Sequence, residues 1–489
     1  MDSTQPRAAK EAKLQKVDSA LRTALGTTER TAALLERARL LDELGRDEEA
    51  RLAYLQLLQR APAHLDGLTR LGALLNKTGY RSAARTALAH AAAMHPRSAA
   101  AQANFATMLF DGDELGLARA HYLEALRLDP LLAQAHQGLA VLLLRAGERE
   151  RALEHARLGY GGRAQAWPYR GGGTPIRLLV LRSALGHNVP IEPFIDDRVF
   201  AQTTLITEFF DAANGLPPHD LVFNAIGEAD HCASALEAAE RLVASSRAPI
   251  INAPSLVRKT QRAANAHRLR QIEGVTTARI ETLSREALES PDAIARIETL
   301  GFRWPLLVRA PGFHSGEQFE KVESPAALPA ALAALPASER ALLLLEYLDI
   351  RGADGNHRKY RAMFIGGEIL PLHLAISARW KVHYYTADMA TNALHRAEDE
   401  AFLRDMPGVL GARAMASLVR VRDALGLDYG GVDFCLDASG EVVVFEANAT
   451  MIILPPLEGA QWAYRAEPVA RAQRAVREML QRRAGREVL

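Results

Sequence analysis

The sequence predicts a multidomain protein with an all-α superhelix of repeated helix pairs, then a small α/β domain, then a larger α+β domain closed by a C-terminal helix. Three observations predict it. Ala50, Ala84, Ala118 and Ala152 recur every 34 residues through the first third. After a glycine-rich stretch the pattern switches to short apolar runs alternating with an amphipathic helix. Residues 427–451, LDYGGVDFCLDASGEVVVFEANATM, read as two apolar strands around a turn with oxygen donors set into them.

Composition narrows the function classes. The 59 basic and 58 acidic residues nearly cancel, so no global field points to a nucleic-acid partner. Cys232 and Cys435 lie far apart without a C-x-x-C spacing, which argues against a disulfide framework or a zinc site. The polar start of the chain lacks the apolar core of a signal peptide, and no apolar run reaches membrane-spanning length. The expectation is a soluble cytoplasmic protein without a membrane partner.

In the first domain, residues 1–160, Pro62, Pro96 and Pro130 keep the same step as the alanines, as do Gly45 and Gly79, with Gly147 two steps on. A small residue lets two helices approach, proline ends the second, and each pair buries its apolar face only against the next. The pattern resembles the tetratricopeptide repeat, with Tyr54 and Tyr122 four residues after their alanines. Four repeats fit residues 29–163. The last is degenerate, with Gly159 in place of a later alanine and Ala164 in place of proline. Residues 8–28 are expected to cap the stack. The resemblance implies a concave surface that holds a peptide or partner protein, a spacer or assembly surface being the alternative.

Residues 161–175 are glycine-rich and read as a linker, with Trp167 and Tyr169 expected to pin it to a surface. In residues 176–256, the runs 176–181, 220–226 and 249–252 and a helix over 232–246 predict a small parallel α/β domain. Its strand ends carry Gly186, His187, Asn188 and Asn224, at positions that face a ligand crevice; ordinary turn roles account for them equally well.

The last domain, residues 257–489, is reached through a helix expected over 255–272, basic through Arg258, Lys259, Arg262, His267, Arg268 and Arg270. The apolar strand 305–310 carries one cation, Arg309. Gly312, His314, Ser315 and Gly316 follow in a loop whose backbone N–H groups suit phosphates. A buried strand over 341–348 ends in Glu346, Tyr347 and Leu348. Gly366 and Gly367 join strands over 359–365 and 368–377, with Lys359 and Arg361 on one face. In the final hairpin Glu446 and Asn448 share a face, and a four-residue loop over 438–441 puts Asp433 opposite Glu446. Two carboxylates that close call for a cation, and an all-oxygen set suits Mg²⁺ or Mn²⁺.

Val432-Asp433-Phe434, thirteen positions to Glu446, then Ala447 and Asn448, is similar to the metal-binding hairpin of the ATP-grasp superfamily of D-alanine ligases, glutathione synthetases and ribosomal-protein glutamate ligases. The resemblance covers residues 176–475, the smaller α/β domain matching the one that precedes the ATP-grasp fold. It implies ATP and two Mg²⁺ ions as cofactors, with Asp433, Glu446 and Asn448 as metal ligands. Arg309, together with Lys259 or Arg262, would reach phosphates, and Gly312, His314, Ser315 and Gly316 would cover them. Glu346, Tyr347 and Leu348 would read adenine, and Asp349 or Asp354 the ribose. Lys359 and Arg361 would face the γ-phosphate, with His373, Trp380, Lys381 and His383 nearby as substrate contacts or packing.

The implied chemistry is carboxylate activation as an acyl phosphate captured by an amine or related nucleophile. Two departures shape the acceptor. Gly431 stands where the D-alanine ligases carry arginine, and Ala449, Thr450 and Met451 replace their Ser-Pro-Gly turn. The acceptor pocket is therefore expected to be more apolar, and a peptide or protein recruited by the repeats is the expected substrate. The alternatives are a nucleotide-binding scaffold without catalysis and a small-molecule ligase whose repeats serve assembly.

Overall fold

The computed structural model describes residues 4–23, 26–311, 318–337, 339–383, 387–457 and 459–486. The chain divides into two compact units, Met1–Gly162 and Arg163–Leu489.

The first unit is a run of helix pairs, Thr27–Glu43 with Asp47–Arg60, Leu65–Lys77 with Arg81–Met94, Ala99–Asp111 with Leu115–Leu128, and Ala133–Arg145 with Arg149–Tyr160, preceded by Thr4–Arg22. Each alanine of the 34-residue series is fully buried. Pro62, Pro96 and Pro130 each stand two residues past a second helix, where no further N–H is needed. The turns between paired helices require positive φ, met by Gly45, Gly79 and Gly147, and at the third turn by Asp113 at φ 59°, one of the few side chains that tolerate it. A Cβ on Gly159 would sit 2.8 Å from the Gln137 backbone nitrogen, so the degenerate repeat uses glycine for close approach.

Among the described residues the second unit holds three sheets. In the first, β1 (Gln165–Ala166) pairs antiparallel with β3 (Phe200–Ile206), followed in space by β2 (Ile176–Arg182), β4 (Leu221–Asn224) and β5 (Ile250–Ile251), all parallel. The expected linker is thus partly strand, and its Trp167 N–H donates to the Gln202 carbonyl at 2.9 Å. The second sheet runs β7 (Ile280–Ser284), β10 (Ala341–Glu346), β8 (Leu306–Arg309), β9 (Phe319–Val322), all antiparallel. The third runs β12 (Glu368–Ser377), β11 (His357–Ile365), β13 (Tyr429–Leu436), β14 (Val442–Asn448), β6 (Val275–Thr277), with only β6 parallel.

Residues 275–284 form two strands, β6 and β7, that enter different sheets. The helix expected ahead of them is corrected. The expected helix over 255–272 is two, Pro254–Arg258 and Arg262–Leu269, because the chain turns at Thr260, whose N–H and hydroxyl both donate to the Val257 carbonyl. The boundary at 256 therefore falls inside a helix. Gly366 and Gly367, at φ 57° and 91°, make the two-residue turn of the β11–β12 hairpin, a conformation that matches strand twist. The first and third sheets share one apolar core, in which Leu179, Val222, Phe434 and Val444 are buried together. Asn252, fully buried, ties them by donating to the Tyr429 carbonyl at 2.7 Å and accepting from the Tyr429 N–H at 2.9 Å.

Candidate active site

The β13–β14 loop has five residues, 437–441, not four: the Asp437 carboxylate accepts from the Ser439 and Glu441 N–H groups and closes the turn. From Leu436 facing Val442, a regular register would set Asp433 against Phe445 and turn the acids to opposite faces. A bulge prevents it. Phe445 is left 40% exposed, and beyond it Asp433 faces Glu446 and Gly431 faces Asn448.

Asp433 is 3% exposed and lies across from Arg361 of β11. Arg361 Nε and Nη2 donate to its two oxygens at 2.6 and 2.9 Å, and Lys359 Nζ stands 3.0 Å from Oδ2. Burial pushes this carboxyl up, but Arg361 and then Lys359 outweigh it and hold it well below the ordinary carboxylate range. Glu446 Oε1 accepts from Arg262 Nη2 at 2.6 Å and from Asn448 Nδ2 at 2.7 Å, while Asn448 Oδ1 accepts from the Thr450 N–H and hydroxyl. The helix break before Arg262 makes this reach. The Arg262 N–H donates to Asp230 Oδ2 at 3.1 Å, and Asn265 Nδ2 to the Ala447 carbonyl at 2.6 Å, which fastens the helix to β14.

The second sheet supplies the other wall. Arg309 is 6% exposed, with its guanidinium 5.3 Å from the Phe319 ring centroid. Burial, then the charge of Arg262, lowers its pKa to about 9. Beside it Leu307, Leu345, Ile280, Phe319 and Tyr347 form an apolar slot, onto which Trp380 closes edge-on 5.4 Å from Phe319. The Glu346 carboxylate accepts from the Arg279 N–H at 3.1 Å and so braces β10 against the chain entering β7. His373, buried, is kept neutral by burial and by Arg361 and Arg465, and His383 is lowered to about 4 by burial, Lys359 and Arg361.

One cleft of about 440 Å³ is lined by Arg262, Arg309, Glu346, Tyr347 and Leu348, and also by Lys359, Arg361, Asp433, Glu446 and Asn448. Lys259 is exposed and does not line it. Gly312, His314, Ser315 and Gly316 lie outside the described residues.

Sequence reasoning passed over Glu228 and Asp230, which follow β4 and line the same cleft. Their position beyond a parallel strand was the available signal. Burial and Glu228 raise the Asp230 pKa. It also missed Asp399, fully buried, which accepts from the Leu374 N–H, the Tyr464 hydroxyl and Arg465 Nε at 2.6, 2.5 and 2.7 Å. That cluster fixes the back of β12 and is joined by chain segments too distant for spacing to reveal.

The cleft thus carries six cations and five carboxylates, two of which, Asp433 and Glu446, face each other, beside an apolar slot. A polyphosphate attached to a planar base suits this arrangement, and two carboxylates with an amide oxygen are the hard donors Mg²⁺ prefers. Among the described residues no group of three or more His, Cys, Asp and Glu side chains converges, so a metal site here rests on these two acids and Asn448.

No family model matches the chain. One curated relative, the inactive TPR repeat-containing thioredoxin TTL3 of Arabidopsis thaliana, is 40% identical over 88 residues, 18% of this chain and 13% of its own length. Among solved structures, MamA from Desulfovibrio magneticus RS-1 matches 32% of this chain and 87% of its own at 23% identity and TM-score 0.28. VanG D-Ala:D-Ser ligase from Enterococcus faecalis matches 57% and 91% at 14% identity and TM-score 0.37. A RimK domain ATP-grasp protein from Sphaerobacter thermophilus matches 62% and 99% at 16% identity and TM-score 0.37. In these comparisons the helical repeats are similar to tetratricopeptide proteins and the mixed α/β region to ATP-grasp ligases. Among the described residues no helix is long and apolar enough to cross a membrane.

Proposed function

We propose that the second unit is an ATP-dependent ligase that activates a carboxylate as an acyl phosphate and passes it to an amine, acting on a peptide or protein held by the repeats. The observation that carries this reading is the facing pair Asp433 and Glu446, each already paired with half-buried cations, in one cleft with Arg309. Arg309, Lys359 and Arg361 hold the phosphate chain of ATP, and the slot around Leu307 and Leu345 takes the base. Asp433, Glu446 and Asn448 hold Mg²⁺, which supplies charge neutralisation at the transferred phosphate. The protein's own part is positioning and exclusion of water: burial keeps Arg309 and Arg361 fixed and desolvated, so their charges act at full strength where the phosphate sits.

One observation favours a second reading, a nucleotide-binding scaffold without turnover: both oxygens of Asp433 are engaged by Arg361 and Lys359. One experiment separates them. The full chain is given Mg·ATP, a peptide pool and hydroxylamine, and products are resolved by chromatography. ADP with a peptide hydroxamate is the expected result; binding without any nucleotide cleavage favours the scaffold, and AMP with pyrophosphate overturns the acyl-phosphate route.

A further inference from the structure

Next to the cleft, on the second unit, lies another pocket of about 500 Å³ whose lining includes Lys321, Arg351, Arg379 and Lys381 with Tyr347 and Trp380. Among the described residues no carboxylate lines it. Across a chain whose charges cancel to +1, four cations in one small pocket are a local concentration and not a reflection of composition.

Three of the cations have partners that hold them in place. Lys321 Nζ lies 4.0 Å from the Tyr347 ring centroid and Lys381 Nζ 5.6 Å from that of Trp380, and Lys381 also donates to the Phe319 carbonyl at 2.6 Å. Glu323 and Asp349 pair with Lys321 and Arg351 from outside the lining. Arg379 forms no ion pair among the described residues and is exposed. Tyr347, His357, Trp380 and Lys381 line both the pocket and the cleft, so the two are continuous. The cations assigned to nucleotide phosphates, Arg262, Arg309, Lys359 and Arg361, are a separate set that does not line this pocket.

We infer that this pocket seats an acidic, aspartate- or glutamate-rich segment of the peptide on which the cleft acts. It rests on the ligase reading above and adds the substrate's chemical class. Carboxylates meet Arg379 and Arg351 at the rim, and the shared wall joins the pocket to the cleft beside the apolar slot.

The test uses the full chain and a fluorescein-labelled oligoglutamate peptide, followed by anisotropy, with oligoglutamine as the neutral control and Mg·ATP affinity measured by calorimetry in parallel. Oligoglutamate is expected to bind more tightly than oligoglutamine. Arg379→Glu is expected to weaken it severalfold and the R351E/R379E double variant about tenfold or more, with Mg·ATP affinity unchanged. Equal binding of the two peptides, or an unchanged affinity in the double variant, overturns the inference. So does competitive displacement of oligoglutamate by Mg·ATP together with equal weakening of both ligands, which would assign these cations to the nucleotide. Oligoglutamate binding that follows the expected pattern in a protein that makes no hydroxamate upholds the pocket's acidic preference and sinks the ligase reading alone.

Discussion

The two units solve burial in opposite ways. Among the described residues the repeat unit buries no Asp, Glu, Lys or Arg, and its interior is mainly alanine and leucine, with Gln102 and His136 as buried polar side chains. The second unit buries Glu208, Glu228, Arg309, Asp399, Asp433 and Arg465. Ionised groups lose several kcal/mol of hydration when buried and are kept only where partners or a function require them. The first unit is organised for packing; the second holds charge out of water where a charged ligand can use it.

The sharpest break of that comparison is Asp433→Ala. It strands Arg361 and Lys359 without their carboxylate, and removing one member of a buried ion pair costs about 3–5 kcal/mol. All four tryptophans, Trp167, Trp304, Trp380 and Trp462, lie in the second unit, so tryptophan fluorescence during urea unfolding follows that unit alone. A loss under about 1 kcal/mol would mean the pair is solvated and the contrast overdrawn.

A smaller effect is expected from Gly138→Ala in the repeats. The new Cβ would meet Tyr122 Cζ at 2.1 Å, and that ring is 2% exposed with its hydroxyl bonded to Thr107. Alanine's helix preference returns about 1 kcal/mol, while overpacking costs about 1–3 or more. A net loss of about 2 kcal/mol, read by hydrogen exchange in the third and fourth repeats of the intact chain, is the expected outcome, with exchange in the second unit unchanged.

The least change is expected with pH. A carboxyl whose folded pKa is depressed adds stability that is present above its unfolded value and lost as pH falls through the folded one. For Asp433 the folded value lies well below the ordinary range. The stability difference between the native protein and Asp433→Asn should therefore be the same at pH 7 and pH 5. A difference that grows as pH falls over that interval would mean that burial raises the folded Asp433 carboxyl above its ordinary range, with its cations farther away than described.

Legibility followed the same division. The repeats were readable because their contacts are local: one period places Ala50 against its neighbour and predicts the turn that even Asp113 obeys. The hairpin's donors and the β11–β12 turn were readable for the same reason. What spacing hid was long-range: Arg262 meets Glu446 across 184 positions, and a one-residue bulge at Phe445, not loop length, brings the acids face to face. The helix break at Thr260 was hidden because nothing in an alanine- and arginine-rich stretch forbids a continuous helix. Lys259 and Arg262, indistinguishable in sequence, were separated only by that turn.

The central claim is that the cleft binds Mg·ATP through Asp433, Glu446 and Asn448 together with their cations. Titration calorimetry of Mg·ATP against the intact protein and the D433N/E446Q/N448A variant, with circular dichroism to establish that the variant is folded, tests it most directly. Saturable binding by the intact protein and none detectable in the folded variant is the expected result. A folded variant that binds Mg·ATP as tightly as the intact protein would contradict it.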